Sequence, residues 1–463
     1  MNRNIPRPAF EMSAILQAKV AAPWNRLRNG EFTQKVSLLA GATAGAYGLN
    51  LAVAPLLTRI YSAAAFGHLQ IYISLMGFVI VLIALRYELS VLLPEDDDVA
   101  ANLVAVAFTA ILVVTLLLLA AVGVTLRYHL LWRRATELGG YLWLLPVGAF
   151  GVGIYQLLNT WGLRYQAYKD VALSKFSQVG AQAAVQIGLG LVTHGSMGGL
   201  IAGDACGRVS GSLRIAKVTF KRDWKRLRRV RPSTMWQAAT RYRNFPLLLT
   251  GSGLLNSGGL QILPLLLSGF YAPEVVGLYA LTDRTMQIPG VLVGQAVSQV
   301  YMVKVAQLGG SAPAVLRTLF TKIVRCSLLY GIVPLVLFCA AAPRLFGIVF
   351  GESWRMAGTY ARVLAPVYYL CFIHTCTGMT LTVLERQHWQ LAWDAFRLVA
   401  VGLTIILGAS AGLGSTDLLG VFALVSGTAY AIHIGLCYRA ISACERRNVK
   451  IEQSSQALAA SAS

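Results

Sequence analysis

Charge is what this chain has least of. Asp, Glu, Lys and Arg make up 13% of its 463 residues, against about 25% in soluble proteins. A water-soluble globular fold is excluded on that ground, since 56% of the chain is hydrophobic. Carboxylates are scarcer still: 19 Asp and Glu stand against 40 Lys and Arg, a net charge of +21. No Gly-Lys dipeptide occurs, so a phosphate-cradling GxxxxGK[ST] loop is impossible. The HExxH metal helix is missing too. Seven cysteines show no paired CxxC spacing. Cys371, His374 and Cys376 lie close together in an apolar stretch, where packing accounts for them, so no metal site is expected. The redox compartment stays open. The first 35 residues carry no apolar core, and no cleavable signal peptide is expected there.

What is present is a succession of apolar stretches, each of about 20 residues, enough to cross roughly 30 Å of hydrocarbon. Twelve spans are expected, over 36–59, 66–92, 99–126, 140–163, 172–193, 197–216, 246–270, 274–303, 318–342, 358–384, 389–410 and 417–438. The chain reads as an all-α polytopic membrane protein. With both termini on one side, thirty of the forty basic residues fall on that side, seven on the other, and Arg86, Arg208 and Arg284 within spans. Such a bias predicts cytoplasmic termini. The densest run, "KVTFKRDWKRLRRVRP", has eight basic residues against one Asp between Lys217 and Arg231. In so apolar a chain it reads as a topology anchor on anionic headgroups rather than a nucleic-acid site. The loops expected outside are short, Arg127–Gly139 and Pro343–Ala357 being the longest. They leave no room for a catalytic domain, and no catalytic residue or cofactor is expected.

A repeat organises the chain. "PLLTRIYSAAAFGHL" (Pro55–Leu69) is echoed 210 residues later by "LLLSGFYAPEVVGLY" (Leu265–Tyr279). Sliding Leu38–Gly67 onto Leu248–Gly277 without a gap gives eight identities in thirty, among them Leu56 with Leu266, Leu57 with Leu267, Tyr61 with Tyr271 and Gly67 with Gly277. Six spans separate the copies, an even number, so both copies run in the same direction. Two parallel six-helix halves are predicted, 36–216 and 246–438, joined by a basic linker over 217–245 and flanked by tails 1–35 and 439–463.

Span 6 carries Gly199, Gly203, Gly207 and Gly211, one small residue every fourth position, which suits close approach of a neighbouring helix. Ionisable residues at depth are costly and usually face a bundle interior or water. Arg208 and Arg284 are placed near the midplane, one in each half. Asp204 stands four residues before Arg208, a spacing that permits an ion pair. Arg284 has Asp283 beside it, but sequence neighbours point about 100° apart on a helix. Arg86 and Glu88 in "LRYEL" lie near the cytoplasmic mouth of span 2, where an interfacial pair is the simple reading. Arg164 closes span 4, and Arg59 reads as an interface anchor at the opposite side. An anionic cargo would need fixed cations of this kind. Asp204, Asp283 and Glu88 are the candidates for ion coupling.

Five stretches, in order, resemble the polysaccharide-repeat-unit flippases: "LLTRIYSAAAFG", "LRYELSVLLPEDDDVAANLVA", "RYRNFPLLLTGSGLLNSGGLQILPLLLSGFYAPEVVGLYALTDR", "GQAVSQVYMVKVAQL" and "FGESWRMAGTYARVLAPVYYL…TLTVLERQ". That family belongs to the exporter superfamily that also holds the multidrug and toxin extruders. The resemblance covers roughly 36–440. It implies a V-shaped pair of six-helix lobes in the bacterial cytoplasmic membrane. It also implies a cargo of oligosaccharide linked by pyrophosphate to undecaprenol, turned over for polymerisation outside. Membrane lipids, a polysaccharide polymerase and chain-length or export proteins are the implied partners; nucleic acid is not. Arg284, Arg208, Arg86, Arg164 and Arg59 become the candidate pyrophosphate contacts. Three rivals stand beside this expectation: a drug exporter of the same fold, a membrane polysaccharide polymerase or ligase, and a non-transporting assembly partner.

Overall fold

The computed structural model describes residues 30–128, 137–227, 230–308, 313–384 and 386–461. Most of the expected N-terminal tail, Arg133 and Arg134 of the expected exterior loop, and Arg228 and Arg229 of the expected linker lie outside the described residues. Among those described there are helices and no strand. The first half comprises α1 (Gly30–Ile60), α2 (Ala63–Leu82), α3 (Asp97–Tyr128), α4 (Leu144–Arg164), α5 (Tyr168–Val192) and α6 (Met197–Leu227). A short linker helix (Pro232–Arg241) follows. The second half comprises α7 (Thr250–Phe270), α8 (Pro273–Met286), α9 (Gln295–Leu308), α10 (Pro313–Phe350), α11 (Arg355–Thr377), α12 (Gln387–Ser410) and α13 (Ser415–Ser461).

Among the described residues, eight helical segments are long and apolar enough to cross a membrane. The other four expected segments are also helical, in α1, α5, α6 and the α8–α9 pair, but are more polar or interrupted. Boundaries differ where the backbone breaks. The stretch expected as one span over 66–92 stops at Leu82, because Leu85 and Arg86 adopt left-handed φ of 49° and 61°. Non-glycine side chains rarely accept that conformation. The stretch 274–303 is split after Met286 by a π-helical turn, Gly290–Gly294, of the kind that accumulates at functional sites. Conversely, α10 runs past the expected end at 342 to Phe350, with Pro334 and Pro343 inside it.

Helix starts explain the duplicated motif. Ser62 caps α2, its hydroxyl accepting from the Ala65 N–H at 3.3 Å. Pro273 occupies the first turn of α8, where its missing N–H is not needed. Tyr61 donates to the Gln186 carbonyl of α5 at 2.6 Å, and its counterpart Tyr271 donates to the Leu413 carbonyl after α12 at 2.7 Å. The repeated tyrosine therefore fastens the first helix of each half to the region of the fifth. Leu57 and Leu267 are both buried beside it.

The glycine ridge of α6 packs on α5 as a groove takes a ridge. A methyl at Gly203 would meet Gln186 and the Gln182 carbonyl; one at Gly207 would lie 2.7 Å from Gln182 Cβ and 2.9 Å from the Gln178 carbonyl oxygen. The side chains of Gln178, Gln182 and Gln186, spaced four apart, thus lie over bare backbone. Gln186 is buried and pays for that position by donating to the Leu200 carbonyl at 3.0 Å.

One continuous apolar core crosses between the halves at the end remote from the linker. Leu57, Phe66 and Leu69 join Leu281, Phe346, Phe350 and Trp354 there. Trp354, from "FGESW", is 1% exposed, sits edge-on to Phe66 with ring centroids 5.0 Å apart, and donates its indole N–H to the Thr58 carbonyl at 3.0 Å. The second half keeps two further cores of its own, one around Leu267, Leu364 and Leu419 and one around Tyr301, Phe320 and Leu381.

Candidate functional site

Arg208 and Arg284 each lie eleven residues into their helices, α6 from Met197 and α8 from Pro273. At 1.5 Å per residue both are about 16 Å from the end where the halves join. The glycines of α6 point at α5, so Asp204 and Arg208 turn to another side. Their carboxylate and guanidinium meet in two hydrogen bonds, Nε to Oδ2 at 2.6 Å and Nη2 to Oδ1 at 3.2 Å. Asp204 and Arg208 both act electrostatically on Tyr72 of α2, whose hydroxyl donates to the Leu144 carbonyl at 3.2 Å.

Arg284 has no such partner. The neighbouring Asp283 is taken by α11 and by its own helix: Tyr368 of α11 donates to Oδ1, Tyr279 of α8 reaches the same oxygen at 3.5 Å, and the amide of Gln287, just after α8, donates to Oδ2 at 2.7 Å. No hydrogen bond or ion pair involves Arg284 among the described residues. The carboxylates that influence it are Asp204, on the other half of the molecule, and Asp283. The site is therefore a cross-half arrangement: a neutralised Asp204–Arg208 pair on α6, and a half-buried, unneutralised guanidinium on α8.

The remaining sequence candidates are separated from that pair. Arg86 sits at the break after α2, its Nη1 3.8 Å from Glu88 Oε1, and its guanidinium lies over Gly253 of α7. Glu88 is 3% exposed, and its second oxygen has no hydrogen-bond partner. Arg164 spends all five N–H donors on one segment: Asp97 twice, at 2.9 and 3.2 Å, and the carbonyls of Val91, Pro94 and Glu95 at 2.7–3.3 Å. It clamps the turn between α2 and α3 and has no donor left for a ligand. Arg59 is exposed in the last turn of α1, at the joined end.

Two cations were missed by a charge count that assigned them to the linker side. Lys175 is inside α5, half-buried, and donates to Thr43 of α1 at 2.5 Å. Arg397 lies ten residues into α12, over the rings of Trp393 and Tyr430 at 5.2 and 5.9 Å. Counting 1.5 Å per residue from the expected span start at 389 would have put Arg397 about 12 Å deep. The pattern W-x-x-x-R, one helical turn apart, was the available signal.

A family model described as "polysaccharide biosynthesis protein" matches residues 56–358. The chain belongs to that polysaccharide biosynthesis protein family. No curated protein matches the chain. Among solved structures, it is similar to the inward-facing conformation of a multidrug resistance MATE family transporter of the MOP superfamily. The TM-score is 0.62 at 16% identity, covering 88% of this chain and 95% of that one. It is also similar to a MOP superfamily transporter from Pyrococcus furiosus with reverse polarity of its binding pocket, with TM-score 0.55, 15% identity and coverage of 89% and 95%. A Vibrio cholerae MATE transporter variant gives 0.55 at 13% identity, covering 90% and 96%. At these identities the likeness establishes the fold: an all-helical, multi-pass MATE-like membrane protein.

Proposed function

We propose that this protein is a flippase for oligosaccharide repeat units linked through pyrophosphate to undecaprenol, moving them across the bacterial cytoplasmic membrane by alternating access. The observation that carries the reading is the unneutralised Arg284, half-buried about midway along its transmembrane path and opposite a cation already paired with Asp204. A guanidinium keeps its charge on burial and offers forked donors that fit phosphate oxygens. In this reading the pyrophosphate enters between the halves from the linker side, held by Arg284. Arg208 is released to it as Asp204 exchanges partners, and Arg86 stands at the mouth beside Gly253. The prenyl chain stays in lipid. The apolar join at the far end then opens while the near end closes. An inside-negative potential drives outward movement of the headgroup by about 2.3 kcal/mol per charge per 100 mV.

Membership in a polysaccharide biosynthesis family supports a glycan-bearing cargo over a drug. Both termini are proposed to be cytoplasmic, with a polymerase and chain-length or export proteins receiving the cargo outside. The test is direct. Protein reconstituted in vesicles should move a lipid-linked oligosaccharide, read as loss of accessibility of its glycan to an added lectin or glycosidase. It should not accumulate fluorescent lipophilic cations in inverted vesicles. Cation uptake without lipid movement would establish the drug-exporter reading. Glycosyl transfer by the purified protein in detergent would establish the enzyme reading instead.

A further inference from the structure

The 210-residue repeat has an unequal outcome where the halves meet. On one side α2 packs directly on α7. A Cβ on Gly253 would lie 2.9 Å from Val81 Cγ1, one on Gly77 2.9 Å from Gln261 Cγ, and one on Gly258 4.0 Å from the Phe78 ring. The same shift sends Gly77, Phe78 and Val81 to Gln287, Ile288 and Val291 in the second half. It sends Gly253, Gly258 and Gln261 to Thr43, Gly48 and Leu51 of α1. A symmetric molecule would pack α1 on α8 through those residues, and this one does not. Nothing lies within 4 Å of a Cβ at Gly48, Leu51 is 38% exposed, and Thr43 accepts from Lys175 of its own half. Gln287 is exposed, and its amide turns back to Asp283. Helix α1 meets the second half mainly at α10.

The cause is written in side-chain size. Ser74 stands one turn before Gly77 on α2, on the face that meets α7, and is buried. The matched positions on the second half hold Arg284 and Gln287. Small residues let two helices close on each other, whereas a guanidinium and an amide at the same places hold them apart. Charge adds a second barrier. No ion pair among the described residues neutralises Arg284, so covering it with an apolar helix face would strip its water without compensation. Leu51 stands ten residues before Tyr61, about 15 Å from the joined end, and so level with Arg284. The uncovered faces present Tyr47, Gly48 and Leu51 on α1, and Arg284, Gln287 and Ile288 on the other side.

We propose that the halves part on one side only, between α1 and α8, and that this opening seats the polyprenyl chain of the cargo while Arg284 holds its pyrophosphate. The large side chains at 284 and 287, against serine and glycine at 74 and 77, decide which side opens. The opening rests on packing alone; its occupant rests on the flippase reading. An apolar chain supplies Tyr47, Leu51 and Ile288 with the contacts that α1 and α8 do not give each other. Only a chain that ends in an anion also meets Arg284. A bilayer phospholipid keeps its phosphate at the headgroup level, about 15 Å from the midplane, and leaves that guanidinium unmet. A pyrophosphate carried into the cavity does not.

The opening is tested without cargo, in lipid nanodiscs, by a short thiol crosslinker and mass spectrometry of the joined peptides. Phe78→Cys with Gly258→Cys should be joined, and Gly48→Cys with Ile288→Cys should not. Adding Arg284→Ser and Gln287→Gly to the second pair gives that side the residues of α2, and should raise its yield to that of the first pair. Should that variant not fold, Gln287→Ala with the second pair should give a partial rise. Equal yields at the outset, or no rise in a folded variant, overturn the proposal. The occupant is tested in the wild type with a polyprenyl pyrophosphate that carries a diazirine on its chain. Label should fall on Gly48, Leu51 and Ile288 and not on Gly77, Gly258 or Gln261. Unlabelled polyprenyl pyrophosphate should displace it, and phosphatidylethanolamine should not. Label on both sides alike overturns the one-sided opening. Crosslinks as expected, with label that phosphatidylethanolamine displaces equally well, would sink the cargo seat and the flippase reading with it, and leave the one-sided opening standing.

Discussion

Gly67 of α2 and Gly277 of α8 make the same contact from opposite sides: a methyl on Gly67 would strike the Pro273 carbonyl, and a methyl on Gly277 would strike the Ala63 carbonyl. All four residues are matched by the same 210-residue shift, so the two copies of the motif close on each other around a local two-fold axis. Backbone meets backbone at the end of the bundle remote from the linker, and only glycine permits it. An alanine at either position should cost about 1–3 kcal/mol of the closed state, because a carbonyl cannot turn aside as a side chain can. Gly67→Ala and Gly277→Ala should therefore accelerate labelling of Thr58→Cys by a membrane-impermeant maleimide, each by roughly fivefold or more. Unchanged labelling in both would show that this contact does not hold the end shut.

Trp354 latches the same join through one hydrogen bond and a large buried ring. Trp354→Phe keeps most of the apolar area and loses the bond to the Thr58 carbonyl, a change of about 0.5–1.5 kcal/mol. Trp354→Ala empties the site and should cost about 3–5 kcal/mol. Thermal melts in detergent should rank the wild type above Phe and Phe above Ala. Equal melting of the Phe and Ala variants would mean that the ring is not a structural element of the join.

Arg284 and Asp283, although adjacent, should behave oppositely. Arg284→Ala should abolish lipid movement in vesicles while leaving the melting temperature nearly unchanged, since no partner is lost. Arg284→Lys should keep part of the activity through its point charge. Asp283→Ala strands the Tyr368 hydroxyl and the Gln287 amide, and should lower stability by about 1–3 kcal/mol. Wild-type flipping by Arg284→Ala would remove Arg284 from the cargo site and leave Arg208 and Arg86 as candidates.

Arg164 should prove structural. Arg164→Lys retains the charge but replaces five fixed donors with three on a flexible stem. The 91–97 segment should become sensitive to limited proteolysis and the melting point should fall. Transport by the folded fraction should persist per molecule. A folded, fully protected Arg164→Lys protein with no transport would instead place Arg164 in the cargo path.

The α5–α6 seam gives a further check. Gly207→Leu must displace Gln182 and approach the Gln178 carbonyl, so the yield of folded protein should drop sharply. Normal yield with lost transport would make this ridge a lining surface rather than a packing one.

The sequence by itself determined the class of architecture and much of the internal symmetry. Apolar length, charge bias and the 210-residue repeat are additive along the chain, and each is legible without knowing what touches what. The glycine ridge of α6 and the Asp204–Arg208 pair were legible for the same reason, because spacing by four on a helix creates the neighbour. Which partner a charge takes across helices was decided only in three dimensions. Asp283 turns to Tyr368, 85 positions away, and leaves Arg284 open. Trp354 reaches Thr58 over 296 positions, and the rings of His374 and His433 meet although they are 59 positions apart. Those contacts depend on crossing angles and on breaks such as the left-handed Leu85 and Arg86. Such features follow from the balance of packing over whole helices, which no local pattern records.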